Sequence, residues 1–376
     1  MKQKQIAFVA TREPEYSRVS IVRSELQRYF HVEEYLSGQS RYPLRLVAIA
    51  CQLVWAWLTG RLRKNDAVFV GFFAQPIFPL VRLLYRGPII ADAYFSLFDT
   101  MVHDKRKAKQ NSLVGKLCFW LDRHMLHKAR LCFTDTNEHV SYLRETFGPA
   151  DADIRRLWIS AESQPLESRP AAPAGDEPFE VLFWGGFIPL QGVDTIVRAA
   201  ASLQPDNVTF TIIGAGQTLA DCLELRQQLN APNIEFAGWQ SPETIANKAS
   251  RSHVSLGIFG TTEKAGRVIP NKAYEALAMG IPLITRASTA ADELLSDNVD
   301  CLLVQAGNAE DLAAKILWAR DNYDDVLKVA EQGQQLFDDV CSPAKVGEVL
   351  HRDIQSILSP ELQSASSGAT TSVQSA

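Results

Sequence analysis

Short runs of β-branched and other apolar residues alternate along the chain with longer stretches of helical period. In the first half these runs are IAFVA (6–10), AVFVG (67–71), PIIADA (88–93) and RLCFTD (130–135). The second half continues with EVLFW (180–184), VTFTIIG (208–214), NIEFAG (233–238), VSLGIF (254–259), PLIT (282–285) and CLLV (301–304). Continuous apolar strands separated by helical patterns predict parallel sheets covered by helices on both faces, an α/β architecture. Between the halves, SAESQPLESRPAAPAGDEP (160–178) has no apolar period and reads as an interdomain linker. The pattern therefore divides the chain into a first doubly wound domain (1–165), a linker (166–179) and a second doubly wound domain (180–340). A helix over 341–358 is expected to pack back on the first domain, and residues 359–376 form a serine-rich tail expected to be disordered. In such sheets ligands bind beyond the carboxyl ends of the strands, so the chemistry belongs in a cleft between the two domains.

Composition narrows the partners. A chain of 376 residues exceeds one ordinary core, and its net charge of −5 argues against a nucleic-acid binder. The six cysteines are scattered without paired ligand spacing, which predicts reduced thiols in a cytoplasmic protein, no zinc site and no metal requirement. The apolar run after the basic start is too short for a signal peptide, and no stretch reaches the roughly 18 to 20 apolar residues of a membrane span. The nearest approach is LRLVAIACQLVWAWLTG (44–60), flanked by Arg41, Arg61, Arg63 and Lys64. It reads either as a crossover helix buried against a sheet or as an interfacial helix with Trp55 and Trp57 at lipid headgroups, giving peripheral contact with the inner face of a membrane.

Two stretches carry candidate chemistry. In EVLFWGGFIPLQGVDTIVRAA (180–200) a strand ends at Gly185 and Gly186, and a helix begins near Gly192. Glycines there let backbone approach a ligand, although the spacing is not that of a dinucleotide fingerprint. In KAGRVIPNKAYEALAMGIPLIT (264–285), Pro270 and Asn271 read as stop and N-cap and Gly280 as the helix end. Glu275 lies within the first turn, beside Lys264, Arg267 and Lys272. Helix-dipole stabilisation alone accounts for an acid there. A diphosphate on the helix amides and cations, with its ribose hydroxyls on Glu275, accounts for the acid and the cations together.

The string IPNKAYEALAMGIPLIT, after a strand–GG–loop–G–helix unit and VTFTIIGAGQ, resembles the donor domain of the family four glycosyltransferases, which are retaining enzymes of the GT-B fold. The resemblance covers most of residues 180–340 and is mainly architectural before them. It implies two Rossmann-like domains facing across a cleft, a nucleotide-sugar donor on the second and a glycan or lipid-linked acceptor on the first. It also implies a role in cell-envelope or exported polysaccharide synthesis, without cofactor or metal. Gly185, Gly186, Gly214, Trp239, Gln240, Lys264, Asn271 and Glu275 would meet the donor; Lys272, Arg267, Asp92 and His103 would serve catalysis. Asp99 shares the stretch of Asp92 and His103.

This sequence departs from the family at three places. Gly186 and Gln191 replace an arginine and a lysine, and Arg267 stands where the first of a glutamate pair is usual. The expectation is that Lys264, Arg267 and Lys272 supply the missing countercharge. The lost cations keep open a non-catalytic nucleotide-sugar-binding protein, and the fold keeps open a nucleotide-sugar epimerase.

Overall fold

The computed structural model describes residues 3–104, 107–148 and 153–359. Two six-stranded sheets form, and every pairing in both is parallel. The first contains β1 (Gln5–Val9), β2 (His31–Tyr35), β3 (Ala67–Val70), β4 (Ile89–Asp92), β5 (Leu131–Thr134) and β6 (Asp153–Arg156), in the order β2-β1-β3-β4-β5-β6. The second contains β7 (Phe179–Trp184), β8 (Val208–Ile213), β9 (Ile234–Gly238), β10 (Val254–Leu256), β11 (Leu283–Arg286) and β12 (Leu302–Val304), ordered β12-β11-β10-β7-β8-β9. The chain therefore has the α/β GT-B architecture that the alternating pattern and the motifs imply.

All ten apolar runs contribute strands. The two strands that the pattern does not announce, β2 (HVEEY) and β6 (DIRR), are the two edges of the first sheet. An edge strand is covered less completely than a central one, so charged side chains are tolerated there and the apolar signal disappears.

In the first domain, α1 (Ser17–Tyr29) covers one face of the sheet. The opposite face is covered by α2 (Tyr42–Leu58), α3 (Phe78–Leu84), α4 (Leu113–Lys128) and α5 (Asn137–Phe147). The final helix, Pro343–Leu358, returns to the first domain and lies along α1, where His351 stacks on Tyr29 with ring centres 4.5 Å apart. Its side chain Asp353 also pairs with Arg155 at 3.2 Å. The tail proposed from residue 359 lies, apart from Ser359, outside the described residues. The proline-rich segment before β7 has no regular structure but is fastened to the second domain: Leu166 N donates to Met279 O, and the Ala171 carbonyl meets His253 Nε2 at 3.1 Å.

Neither reading of residues 44–60 holds in its pure form. Helix α2 is a crossover between β2 and β3 that buries Arg45, Ile49, Leu53 and Ala56 at helical spacing. Its other side leaves Trp55 64% exposed, while Trp57 is half-buried.

Candidate functional site

A cleft of about 630 Å³ opens between the carboxyl ends of the two sheets, a size suited to a nucleotide-scale ligand. From the second domain it is lined by Trp184, Gly185, Gly186, Gln191, Lys264, Asn271, Lys272 and Glu275. The first domain contributes Arg12, Tyr16, Phe72, Phe73, Phe95 and His139, among others. Arg45 fixes the loop carrying Arg12, since its guanidinium donates to the Thr11 carbonyl at 3.3 Å and to Glu13 Oε1 at 2.8 Å.

The helix Asn271–Met279 ends as its sequence predicts, with Gly280 at φ 69° accepting the left-handed turn. Its start differs. Pro270 occupies the N-cap position, Asn271 is the first helical residue, and no side chain caps the helix. The Asn271 oxygen instead accepts from the Tyr94 hydroxyl across the cleft at 2.7 Å. The Ala273 amide donates to the Pro270 carbonyl at 2.9 Å, while the amides of Asn271 and Lys272 have no acceptor among the described residues and are left for another one.

Lys272 is the central finding. It is 5% exposed, and no carboxylate forms an ion pair with it among the described residues. Its amine donates to Gln191 Oε1 and lies 3.6 Å from the centre of the Phe183 ring. Burial pushes its pKa well below the usual 10.5, against a smaller opposing pull from Glu275. A Cβ on Gly185 would come within 2.5 Å of the Lys272 amine and would displace it from this position. The lysine of the helix therefore reaches the very loop, Gly185 to Gln191, in which two cations are missing. One turn on, Glu275 lines the same cleft and accepts a 2.6 Å hydrogen bond from Trp184 Nε1, which orients the carboxylate.

Lys264 and Arg267 have a different fate, and their expected role as countercharge needs correction. Lys264 Nζ donates to Thr100 Oγ1 at 2.9 Å and pairs with Asp104 at 3.3 Å. Arg267 does not line the cleft; it pairs with Asp99 at 3.1 Å and its guanidinium lies 4.0 Å from the centre of the Tyr142 ring. These contacts form a seam between the domains. Thr136 Oγ1 adds a 2.6 Å hydrogen bond to the Arg267 carbonyl. Glu293 caps α5 from the other domain, its two oxygens accepting from Asn137 N at 2.8 Å and Glu138 N at 2.9 Å.

Other expected site residues are also placed elsewhere. Asp92 is 2% exposed and spends both oxygens on Arg18, at 2.8 and 2.9 Å, so it is a structural ion pair and not an acceptor-orienting acid. His103 is exposed, packs edge-on against Phe98 and does not line the cleft. Trp239 is 76% exposed and the Gln240 amide donates to the Ala237 carbonyl; neither lines the cleft. Gly214 serves backbone packing, since a Cβ there would collide with the Gly185 carbonyl.

One pair was missed from the sequence. Asp135 directly follows β5 and His139 lies in the first turn of α5, with His139 Nδ1 2.7 Å from Asp135 Oδ1. That contact fixes the ring, and His139 lines the cleft. The i, i+4 spacing at a predicted strand end was the readable signal.

Comparison with known proteins agrees with this geometry. Residues 178–322 match the family model described as Glycosyl transferases group 1. An uncharacterised glycosyltransferase of Methanocaldococcus jannaschii is 27% identical over 154 residues, covering 41% of this chain and 42% of the relative. A lipopolysaccharide core biosynthesis glycosyltransferase of Rhizobium meliloti is 21% identical over 188 residues, covering 50% of this chain and 52% of the relative. The chain thus spans about half the length of these relatives. In three dimensions it is similar to HepE of Anabaena in complex with UDP and glucose, with a TM-score of 0.67 and 13% identity over 94% of this chain and 100% of the other. At the level of fold and of group 1 glycosyltransferases the resemblance read from the motifs holds: this is a chain of GT-B fold whose second domain matches that group.

Proposed function

We propose that the protein is a retaining glycosyltransferase that moves a sugar from a nucleoside-diphosphate sugar to a glycan or lipid-linked glycan, on the cytoplasmic side of a membrane, in the synthesis of an envelope or exported polysaccharide. The observation that carries this reading is Lys272, a buried amine without a carboxylate partner, beside an uncapped helix start and Glu275 in the interdomain cleft. Burying a cation is costly unless an anion joins it, and a diphosphate is the anion that this helix end and amine fit together. Glu275, one helical turn away, then accepts the ribose hydroxyls. The glycosyl carbon–oxygen bond to the diphosphate breaks while a bond to the acceptor oxygen forms. The Lys272 ammonium and helix amides stabilise the charge that develops on the leaving oxygen. That oxygen takes up the acceptor proton, and His139, held by Asp135, orients hydroxyls on the opposite wall. The HepE complex with UDP and glucose and the role of the Rhizobium meliloti relative in lipopolysaccharide core biosynthesis support the same donor and acceptor classes.

The test is a panel of nucleoside-diphosphate sugars, read by thermal stabilisation and by release of free nucleoside diphosphate. One donor should raise the melting temperature by mass action and be consumed when a suitable acceptor is added. Interconversion of nucleotide sugars without acceptor, or no stabilisation by any donor, would overturn the reading.

A further inference from the structure

Helices α2, α3 and α4 stand side by side on one face of the first sheet, and their outer sides are unusual. Ten of the fifteen large hydrophobic side chains exposed among the described residues lie on these three helices. On α2, Leu44, Val47, Trp55 and Leu58 recur at helical spacing, opposite the buried stripe of Ile49 and Leu53. Leu83 on α3 is 77% exposed. Leu113, Leu117 and Trp120 continue the surface on α4. An exposed apolar surface of this extent on a folded domain marks a partner.

The charge on the same helices identifies the partner. Although the chain carries 43 acidic residues, none lies in 41–64 or 77–87, and the only one in 107–130 is Asp122, which is buried and accepts from Ser96, Leu97 and Phe98. Exposed cations frame the apolar centre: Arg41, Arg63 and Lys64 at the ends of α2, and Lys116, Arg123 and Lys128 along α4. Two tryptophans on an apolar surface whose own helices expose cations and no acids match the boundary between acyl chains and anionic headgroups. A symmetric pairing with a second copy would set these cations against one another. No helix among the described residues is long and apolar enough to cross a membrane, so the contact is parallel to the surface.

We infer that the outer face of α2, α3 and α4 docks the first domain on an anionic lipid surface. The cleft opens at the edge of that face. Tyr42, the first residue of α2, meets Phe73 edge-on with ring centres 5.1 Å apart, and Phe73 lines the cleft. Phe73 holds φ 64°, a costly backbone for an aromatic residue, and its carbonyl accepts from Thr11 Oγ1 at 2.7 Å. The wall formed by Tyr16, Phe72, Phe73 and Phe95 therefore begins where the docking face ends, and an acceptor carried on a lipid reaches it without leaving the membrane. The docking itself does not depend on the reading of the cleft.

The experiment is flotation of the full chain with vesicles of mixed phosphatidylglycerol and phosphatidylcholine, against vesicles of phosphatidylcholine alone. Binding is expected to the anionic vesicles at low salt, with release as salt rises. Trp55→Ser with Trp120→Ser, and separately Lys116→Glu with Arg123→Glu, should each lower binding about tenfold or more while leaving the melting temperature unchanged. Absence of wild-type binding, equal binding to neutral vesicles, or binding untouched by both pairs of substitutions would overturn the proposal. So would a stable dimer in sedimentation that either pair of substitutions dissociates.

Discussion

On the short helix Glu263–Arg267 both cations meet carboxylates of the other domain; on the helix that follows, Lys272 meets none among the described residues. In the sequence the three residues look equivalent, as a cluster of positive charge before an alanine-rich helix. In the folded chain Lys264 and Arg267 close the seam between domains, and only Lys272 keeps its charge unneutralised beside the amides of the helix start. Countercharge for a ligand is therefore measured by what remains unpaired after folding. A neutralised cation contributes shape and rigidity. An unpaired, desolvated one is a standing cost that a bound anion removes.

The largest effect is expected from Lys272→Ala, which should lower turnover by about 10²- to 10³-fold, as for loss of one donor to a developing oxyanion. Adding Gln191→Lys should restore part of it, because the Lys272 amine already touches the Gln191 side chain. Steady-state kinetics on the single and double variants checks both, and equal losses from Lys264→Ala would erase the distinction between the two stretches.

Glu275→Gln should come next, weakening donor affinity by about 1.5 to 3 kcal/mol, the usual worth of hydrogen bonds to a charged group. Calorimetric titration with the donor measures this directly, and unchanged affinity would return Glu275 to a helix-dipole role.

Arg267→Ala should act less on chemistry, with turnover within about tenfold of wild type, and more on the seam, because it leaves Asp99 buried without its partner. Arg267→Ala combined with Asp99→Asn should recover most of the lost melting temperature. A turnover loss as deep as that of Lys272→Ala would show that Arg267 also carries ligand charge.

The smallest effect is a pH dependence. Because burial lowers the Lys272 pKa, the unfolded chain holds a proton that the folded chain lacks between that lowered value and 10.5. Stability of the unliganded protein should therefore rise with pH across this window, and Lys272→Met should remove that slope. Donor binding favours the ammonium, so affinity should fall as pH rises through the lowered pKa. Titrations in two buffers of different ionisation enthalpy should detect proton uptake by the wild type and none by Lys272→Met.

The fold was largely legible because ten of twelve strands contain apolar runs, most of them buried in the sheet interiors. The two exceptions sit at sheet edges, where burial does not dictate the sequence. In the site, Gly185 and Gly186, and separately Asn271, Lys272 and Glu275, were legible because each group sits within one short local motif, a strand end with its glycine loop or a helix start. What escaped was pairing over distance. Asp92 looks like a free acid until Arg18, 74 residues away, takes both its oxygens. Arg267 looks like a ligand cation until Asp99, 168 residues away, claims it. His139 was overlooked although Asp135 stands only four residues before it, because neither belongs to a glycine-rich motif.

The cap that Glu293 places on α5 has a use beyond holding the seam. The amides of Asn137 and Glu138 are sheltered by a carboxylate of the opposite domain, so each opening of the cleft strips both of their acceptor at once. If the domains separate, exchange of these two adjacent amides with solvent deuterium should rise together while the rest of α5 stays protected. A donor that holds the cleft shut should slow that pair in step, giving a gauge of closure that needs no acceptor and no turnover.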